Sequence, residues 1–168
     1  MIELFILYTL NLRDKTVYSL RRDIIERFGF STKPSLGTIH PALKRLLKID
    51  AVKFEQKYSK GGKKSTYYSI TPTGKKVFKD LFFKDISENP TIFHNQLCAR
   101  LLTISMLNSD EQNEFLNELQ KKLELQKIEL NSAINNKYIE YDKWQTSVLN
   151  ESLNNINSLE KMIQTLKN

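Results

Sequence analysis

Between Ser35 and Gly74 the chain reads SLGTIHPALKRLLKIDAVKFEQKYSKGGKKSTYYSITPTG. Leu36, Ile39, Leu43, Leu46 and Leu47 recur at steps of three and four, which predicts an amphipathic helix over residues 35–49 with His40, Lys44 and Arg45 off the apolar stripe. Ser35 stands where a capping hydroxyl belongs. Pro41 conflicts with a helix interior, since it removes a donor and crowds the carbonyl four residues back. That residue is Gly37 and Pro41 falls in the second turn, so a tight or kinked first turn is expected rather than a break. Residues 52–58 and 66–71 alternate and are rich in β-formers, while SKGGKKS between them supplies two glycines for a hairpin turn. The outcome is a basic helix followed by a hairpin with a lysine-rich tip.

The flanking segments complete a small helical domain. Ile2, Leu4, Phe5, Ile6, Leu7, Tyr8, Leu10 and Leu12 read as a short helix buried on most sides. After a polar break at 13–15, Val17, Leu20, Ile24, Ile25 and Phe28 form one stripe, with Arg21, Arg22, Asp23, Glu26 and Arg27 facing out and Gly29 as the stop. Thr71 followed by Pro72 is a helix start, and the helix runs through Val77, Leu81 and Phe82 to a turn at Asn89-Pro90. The division this implies is 1–88 and 89–168.

Past that turn, Ile92–Leu107 reads as a mixed helix. Ser109 with Gln112 forms a capping box for a helix carrying Leu116, Leu119, Leu123, Leu130, Ile134, Tyr138 and Tyr141, roughly 50 Å at ~1.5 Å per residue. A last helix carries Leu149, Leu153, Ile156, Leu159, Ile163 and Leu166 at the same spacing. The two seams can pair within one chain, but a stripe of that length favours a second chain, hence a homodimer held by antiparallel, coiled-coil-like helices.

Charge narrows the partner. Residues 1–85 hold 18 Lys+Arg and 8 Asp+Glu, a net of +10, whereas residues 86–168 carry a net of −3. The overall +7 therefore resides in the first half and favours a polyanion. The single Cys98 excludes an intrachain disulfide and fits a reducing, cytoplasmic setting, where it reads as a small buried apolar residue, with redox sensing as the lesser alternative. No apolar run approaches the ~20 residues of a membrane span, and the apolar start lacks the basic residue and cleavage site of a signal peptide. No nucleophile elbow, phosphate loop, paired carboxylates or metal-spaced Cys/His set appears, which argues against an enzyme, a cofactor and a metal, His94 included.

A helix narrow enough for a DNA major groove beside a flexible cationic loop is the outline of a winged helix-turn-helix domain. The first 85 residues resemble the PadR family of winged-helix transcription regulators in three places: TVYSL at 16–20, SLGTIHPALKRL at 35–46 and GGKKSTYYSITPTG at 61–74. The sequence departs from the family where Thr16-Val17 replaces a His-Gly pair and where His40 replaces a tyrosine. The two long C-terminal helices look like the branch with an extended dimerisation domain. The resemblance implies a dimeric regulator, a repressor in the leading reading, that binds a pseudo-palindromic promoter in double-stranded DNA and releases it on binding a small-molecule effector. An architectural or interaction module that senses no ligand is the alternative.

Within that reading, Ser35 and Thr38 suit phosphate contacts that position the recognition helix, and His40 and Lys44 suit base edges. Arg45 serves either DNA or an acidic neighbour. Lys57, Lys60, Lys63 and Lys64, in the wing at 57–66, suit phosphate anchoring. Tyr18 is read either as a phosphate contact or as core. Of Tyr67 and Tyr68, one is expected in the core and the other within reach of DNA or the partner subunit. Trp144, Tyr138 and Tyr141 are either plain packing or the wall of an effector pocket.

Overall fold

Ile2–Leu12 (α1) is apolar on almost every side, and the fold spends it accordingly: Leu4, Phe5, Ile6, Leu7 and Leu10 are all buried. A fully buried leucine is worth about 1.5–3 kcal/mol, so this one helix organises what surrounds it. It touches Val17–Phe28 (α2), Leu36–Lys48 (α3), Pro72–Phe82 (α4), Pro90–Thr103 (α5) and strand Lys64–Ile70 (β2). Phe28 closes α2 onto it, with its ring 4.8 Å from Phe5 and 5.8 Å from Tyr8. The structure, a computed structural model, describes residues 1–58, 62, 64–87 and 89–167.

Hydroxyls set three helix starts. Thr16 accepts from the Ser19 N–H, Ser35 from Thr38 and Thr71 from Gly74, each side chain satisfying a donor the helix itself cannot. Pro41 sits inside α3 without interrupting it. Val52–Tyr58 (β1) pairs antiparallel with β2, in register from Val52 opposite Ile70 to Tyr58 opposite Lys64. On its other side β2 is pinned at one point, where the backbones of Tyr68 and Lys15 exchange hydrogen bonds of 2.8 and 3.0 Å. Gly74 allows the start of α4 to meet the connection between α3 and β1, since a Cβ there would stand 2.1 Å from the Ala51 carbonyl oxygen.

Three charged side chains are buried among the described residues, and Asp23, expected on the outer side of α2, is one of them. Asp23 is 5% exposed and lies against Lys15, itself 4% exposed, with the Arg13 guanidinium 3.5 Å away. Helical spacing alone puts it on the surface of α2. A local pairing of Lys15 with Asp23, joined to the Tyr68 bridge, makes burial tolerable and ties the segment before α2 to both α2 and the hairpin. Burial pushes the Asp23 carboxyl up, but the hydrogen bond and charge of Lys15, then those of Arg13, outweigh it, and the net shift is downward.

Arg100, 2% exposed, is the third. Its guanidinium donates to the carbonyls of Phe82 and Lys84 at 2.6 Å and of Gln96 at 3.2 Å, so it caps the end of α4 from α5. This explains why the packed unit ends at Leu107 and not near residue 88: α5 buries Phe93, Leu97 and Ala99 and belongs with the first four helices. Cys98, on the same helix, is half-buried, its sulfur 3.5 Å from His94 Nε2, and burial raises its thiol pKa. A single 3-10 turn, Ile104–Met106, follows α5.

The second unit, Asn108–Asn168, contains Ser109–Ile134 (α6) paired with Lys143–Lys167 (α7). The capping box is one residue earlier than expected, with Asn108 as the cap and Glu111 closing it. Asparagine caps as well as serine does, so residue type alone does not distinguish Asn108 from Ser109. The helix also stops at Ile134, which makes its 26 residues roughly 39 Å long and leaves Tyr138 and Tyr141 on the connection to α7. The pair is tied by Lys127 to Glu160 at 2.7 Å and by Lys167 to Gln120 at 2.6 Å. Among the described residues no helix is long and apolar enough to cross a membrane.

Two consequences are measurable by urea denaturation. Gly74→Ala should lose about 1–3 kcal/mol, because the added methyl meets backbone. Asp23→Asn should lose about 3 kcal/mol at neutral pH by leaving Lys15 unpaired. Because the folded carboxyl titrates below its unfolded value near 4, its contribution is whole above that value and disappears as pH falls through the lower one. The Asp23→Asn variant should accordingly show a flatter stability profile below about pH 4.

Candidate nucleic-acid interface

The recognition helix is oriented by its buried side. Ile39, Ala42, Leu43 and Leu46 face the core, so the opposite side of α3 must face solvent. His40 and Lys44 lie there on one ridge, both exposed. Lys48 continues that ridge one turn later and is also exposed. The motif reading omits Lys48, although its spacing of four from Lys44 is a signal the sequence carries. Pro41 is exposed between them and offers no N–H to the Gly37 carbonyl.

Ser35 and Thr38 open the helix. Ser35 Oγ accepts from the Thr38 N–H at 3.2 Å and lies 3.1 Å from Thr38 Oγ1. Each residue is exposed, and since one of the two touching hydroxyls donates to the other, the second keeps an O–H to donate, as phosphate recognition needs. The unsatisfied first-turn N–H groups and the helix dipole favour an anion at the same end.

Arg45 is engaged elsewhere. Its Nε donates to Glu3 Oε1 at 3.1 Å and Nη2 reaches the same oxygen, which fastens the recognition helix to α1. Burial raises the Glu3 carboxyl, and the Arg45 hydrogen bond leads the effects that bring it below its ordinary value. The acidic-neighbour alternative is therefore the contact the structure holds, although most of the Arg45 side chain remains exposed.

On the wing, Lys57 and Lys64 are exposed near the ends of the two strands. Lys57 Nζ lies 3.2 Å from Glu55 and 5.5 Å from the centre of the Tyr67 ring. Lys60 and Lys63, with Gly61, lie outside the described residues. Gly62, at the tip, has φ +76, a conformation that favours glycine. Tyr67 and Tyr68 are both half-buried, so neither is the fully buried core ring expected of one of them. Tyr68 packs on Phe54, with ring centres 6.3 Å apart, while its backbone holds Lys15. Tyr18, 74% exposed in the first turn of α2, is not a core residue.

The remaining candidates lie in the second unit. Leu116, Leu119, Leu123 and Ile163 are buried; Leu130, Leu149, Leu153, Ile156 and Leu159 are half-buried, and Leu166 is exposed. The expected effector residues are open to solvent to different degrees. Tyr138 is 98% exposed, Trp144 is 71% exposed with the Lys143 ammonium 4.9 Å from its ring centre, and Tyr141 is half-buried. Tyr138 joins Ser132, Asn135, Asn136 and Lys137 around a surface depression of about 540 Å³ that Tyr141 and Trp144 do not line. Among the described residues no three His, Cys, Asp or Glu side chains gather as a metal would require.

A helix-turn-helix with a basic ridge, followed by a two-stranded cationic wing, is the architecture of a winged-helix domain. Residues 6–80, the segment that holds this domain, match the Transcriptional regulator PadR-like family. Over that segment the chain is similar to PadR-like transcriptional regulators. It is similar to a PadR family transcription regulator from hypervirulent Clostridium difficile R20291, 28% identical over 47% of this chain and 80% of that one, with a TM-score of 0.42. Bacillus subtilis PadR in complex with operator DNA is 17% identical, covering 99% and 97% of the two chains at a TM-score of 0.48. The smu.1604c protein from Streptococcus mutans UA159 is 23% identical, covering 97% and 96% at 0.45. No curated protein matches the sequence.

If Lys48 extends the DNA-facing ridge, Lys48→Ala should weaken binding to every duplex and lower the slope of log affinity against log salt by about 0.9. Fluorescence anisotropy across a salt series measures both; an unchanged slope would remove Lys48 from the interface.

Proposed function

We propose that the protein is a homodimeric repressor that reads a pseudo-palindromic promoter with helix 35–49 and clamps the flanking backbone with wing 57–66. The observation that carries this reading is the division of α3 into a face committed to the core and an opposite ridge of His40, Lys44 and Lys48, headed by the Ser35 cap. His40 and Lys44 reach base edges in the major groove; Ser35 and Thr38 hold phosphate and fix the register. Tyr18, Lys57 and Lys64, with Lys60 and Lys63, add sequence-independent affinity. The Arg45 side chain divides between Glu3 and the backbone of the duplex.

Dimerisation uses α6 and α7. Leu125, Ile128, Val148, Met162 and Leu166 are exposed on these rods in the single chain, an apolar surface that a second copy would cover. Two recognition helices held about one DNA turn apart, ~34 Å, require a site with two-fold symmetry. A small effector that changes this spacing would release the promoter, with Tyr138, Tyr141 and Trp144 as its candidate contacts. Localisation follows the target, in the cytoplasm.

Selection of bound fragments from random duplex DNA tests the assignment. Lys44→Ala should relax base preference at particular positions, each worth about 1–3 kcal/mol, whereas Lys64→Ala should weaken all fragments alike. Indistinguishable profiles would end the proposed division between helix and wing. Light scattering of the unsubstituted protein should give twice the chain mass, and Ile128→Glu with Val148→Glu should halve it and cost the preference for symmetric sites.

A further inference from the structure

The turn between α2 and α3 is held at its far end by one side chain. Arg21, in the second turn of α2, donates from Nε to the carbonyl oxygen of Pro34 at 3.1 Å. Pro34 is buried and immediately precedes the Ser35 cap. Its carbonyl lies outside the α3 ladder, which begins with Ser35, whose oxygen accepts from Thr38 and Ile39. At the near end the turn is closed by the backbone, with Ser31 and Thr32 donating to the Phe28 carbonyl. Arg21 supplies what the backbone cannot at the other end.

We propose that Arg21 is a positioning residue for DNA recognition: its Nε sets where the recognition helix begins, and its charge is secondary. This rests on the reading of α3 as the DNA-facing helix. The register of the Ser35 cap fixes the direction of the first-turn N–H groups and of the ridge from His40 to Lys48. A shift of that start by a fraction of an ångström would move every base contact together. The bland assignment of Arg21, a surface arginine on α2, would give it only a phosphate contact through its charge.

Two substitutions separate the roles. In glutamine the amide nitrogen is bonded to Cδ, as Nε is in arginine, so Arg21→Gln retains a donor at the position that faces Pro34 and removes the charge. Arg21→Lys retains the charge and puts carbon at that position. Residue 21 is on the exposed side of α2, where substitution rarely unfolds a domain, and thermal melting checks this.

With the duplex that the unsubstituted protein selects from a random pool, Arg21→Gln should bind within about twofold of it, and Arg21→Lys about tenfold more weakly, the factor of a hydrogen bond worth about 1.4 kcal/mol. The salt slope should stay the same in both; were Arg21 to neutralise a phosphate, Arg21→Gln would reduce that slope by about 0.9. Rescue by lysine and not glutamine, or equal behaviour of the two, would overturn the proposal. Hydrogen exchange without DNA gives an independent reading: the Thr38 and Ile39 amides should stay protected in Arg21→Gln and exchange faster in Arg21→Lys. If exchange follows this order but no duplex is selected, the DNA reading fails while the clamp stands as a structural contact alone, and its role in recognition falls.

Discussion

The burial of one face of α3 against α1 is the contact from which the rest of the first unit follows. Ile39, Ala42, Leu43 and Leu46 can leave water together only if the helix keeps one rotation about its axis, and that rotation puts His40, Lys44 and Lys48 outside. α1 is suited to the task because it is apolar on nearly all sides and can take α2, α3, α4 and α5 at once. Surface chemistry is thus set by core chemistry. The Arg45–Glu3 contact adds a polar fastening between the same two helices.

The second constraint is the junction at Lys15. One residue there pairs its backbone with the wing through Tyr68 and its side chain with α2 through Asp23. A cationic hairpin of two strands would be marginal alone, since isolated hairpins bury too little. Here β2 has a neighbour on either side, β1 along its length and Lys15 at one point. The wing and the helix-turn-helix are parts of one packed body.

Most of the first unit could be read from the sequence because its signals are local. Apolar spacing, the hydroxyls at Ser35 and Thr71, the proline after Thr71 and the glycines between two alternating runs each act within a few residues. What escaped was determined by contacts between segments distant in sequence. Arg100 meets carbonyls of Phe82 and Lys84, so its burial, and with it the extension of the unit to Leu107, has no local mark. Asp23 looks like any surface acid on α2 until Lys15 is brought beside it. Arg21 belongs to the same class, an arginine whose partner is the backbone before another helix. In the second unit the periodicity located both helices but ran through the connection at 135–142, because Tyr138 and Tyr141 continue the spacing after the helix has ended.

On this account the outward ridge of α3 and the wing together form the surface on which a duplex lies. Backbone amide NMR of the whole chain, titrated with the duplex it selects, tests this most directly. Signals of Ser35 to Lys48 and of the 57–66 hairpin should shift together and saturate at one equivalent of half-site. Shifts centred instead on the lysines of α4, or absent from α3 while the duplex is bound, would contradict the account.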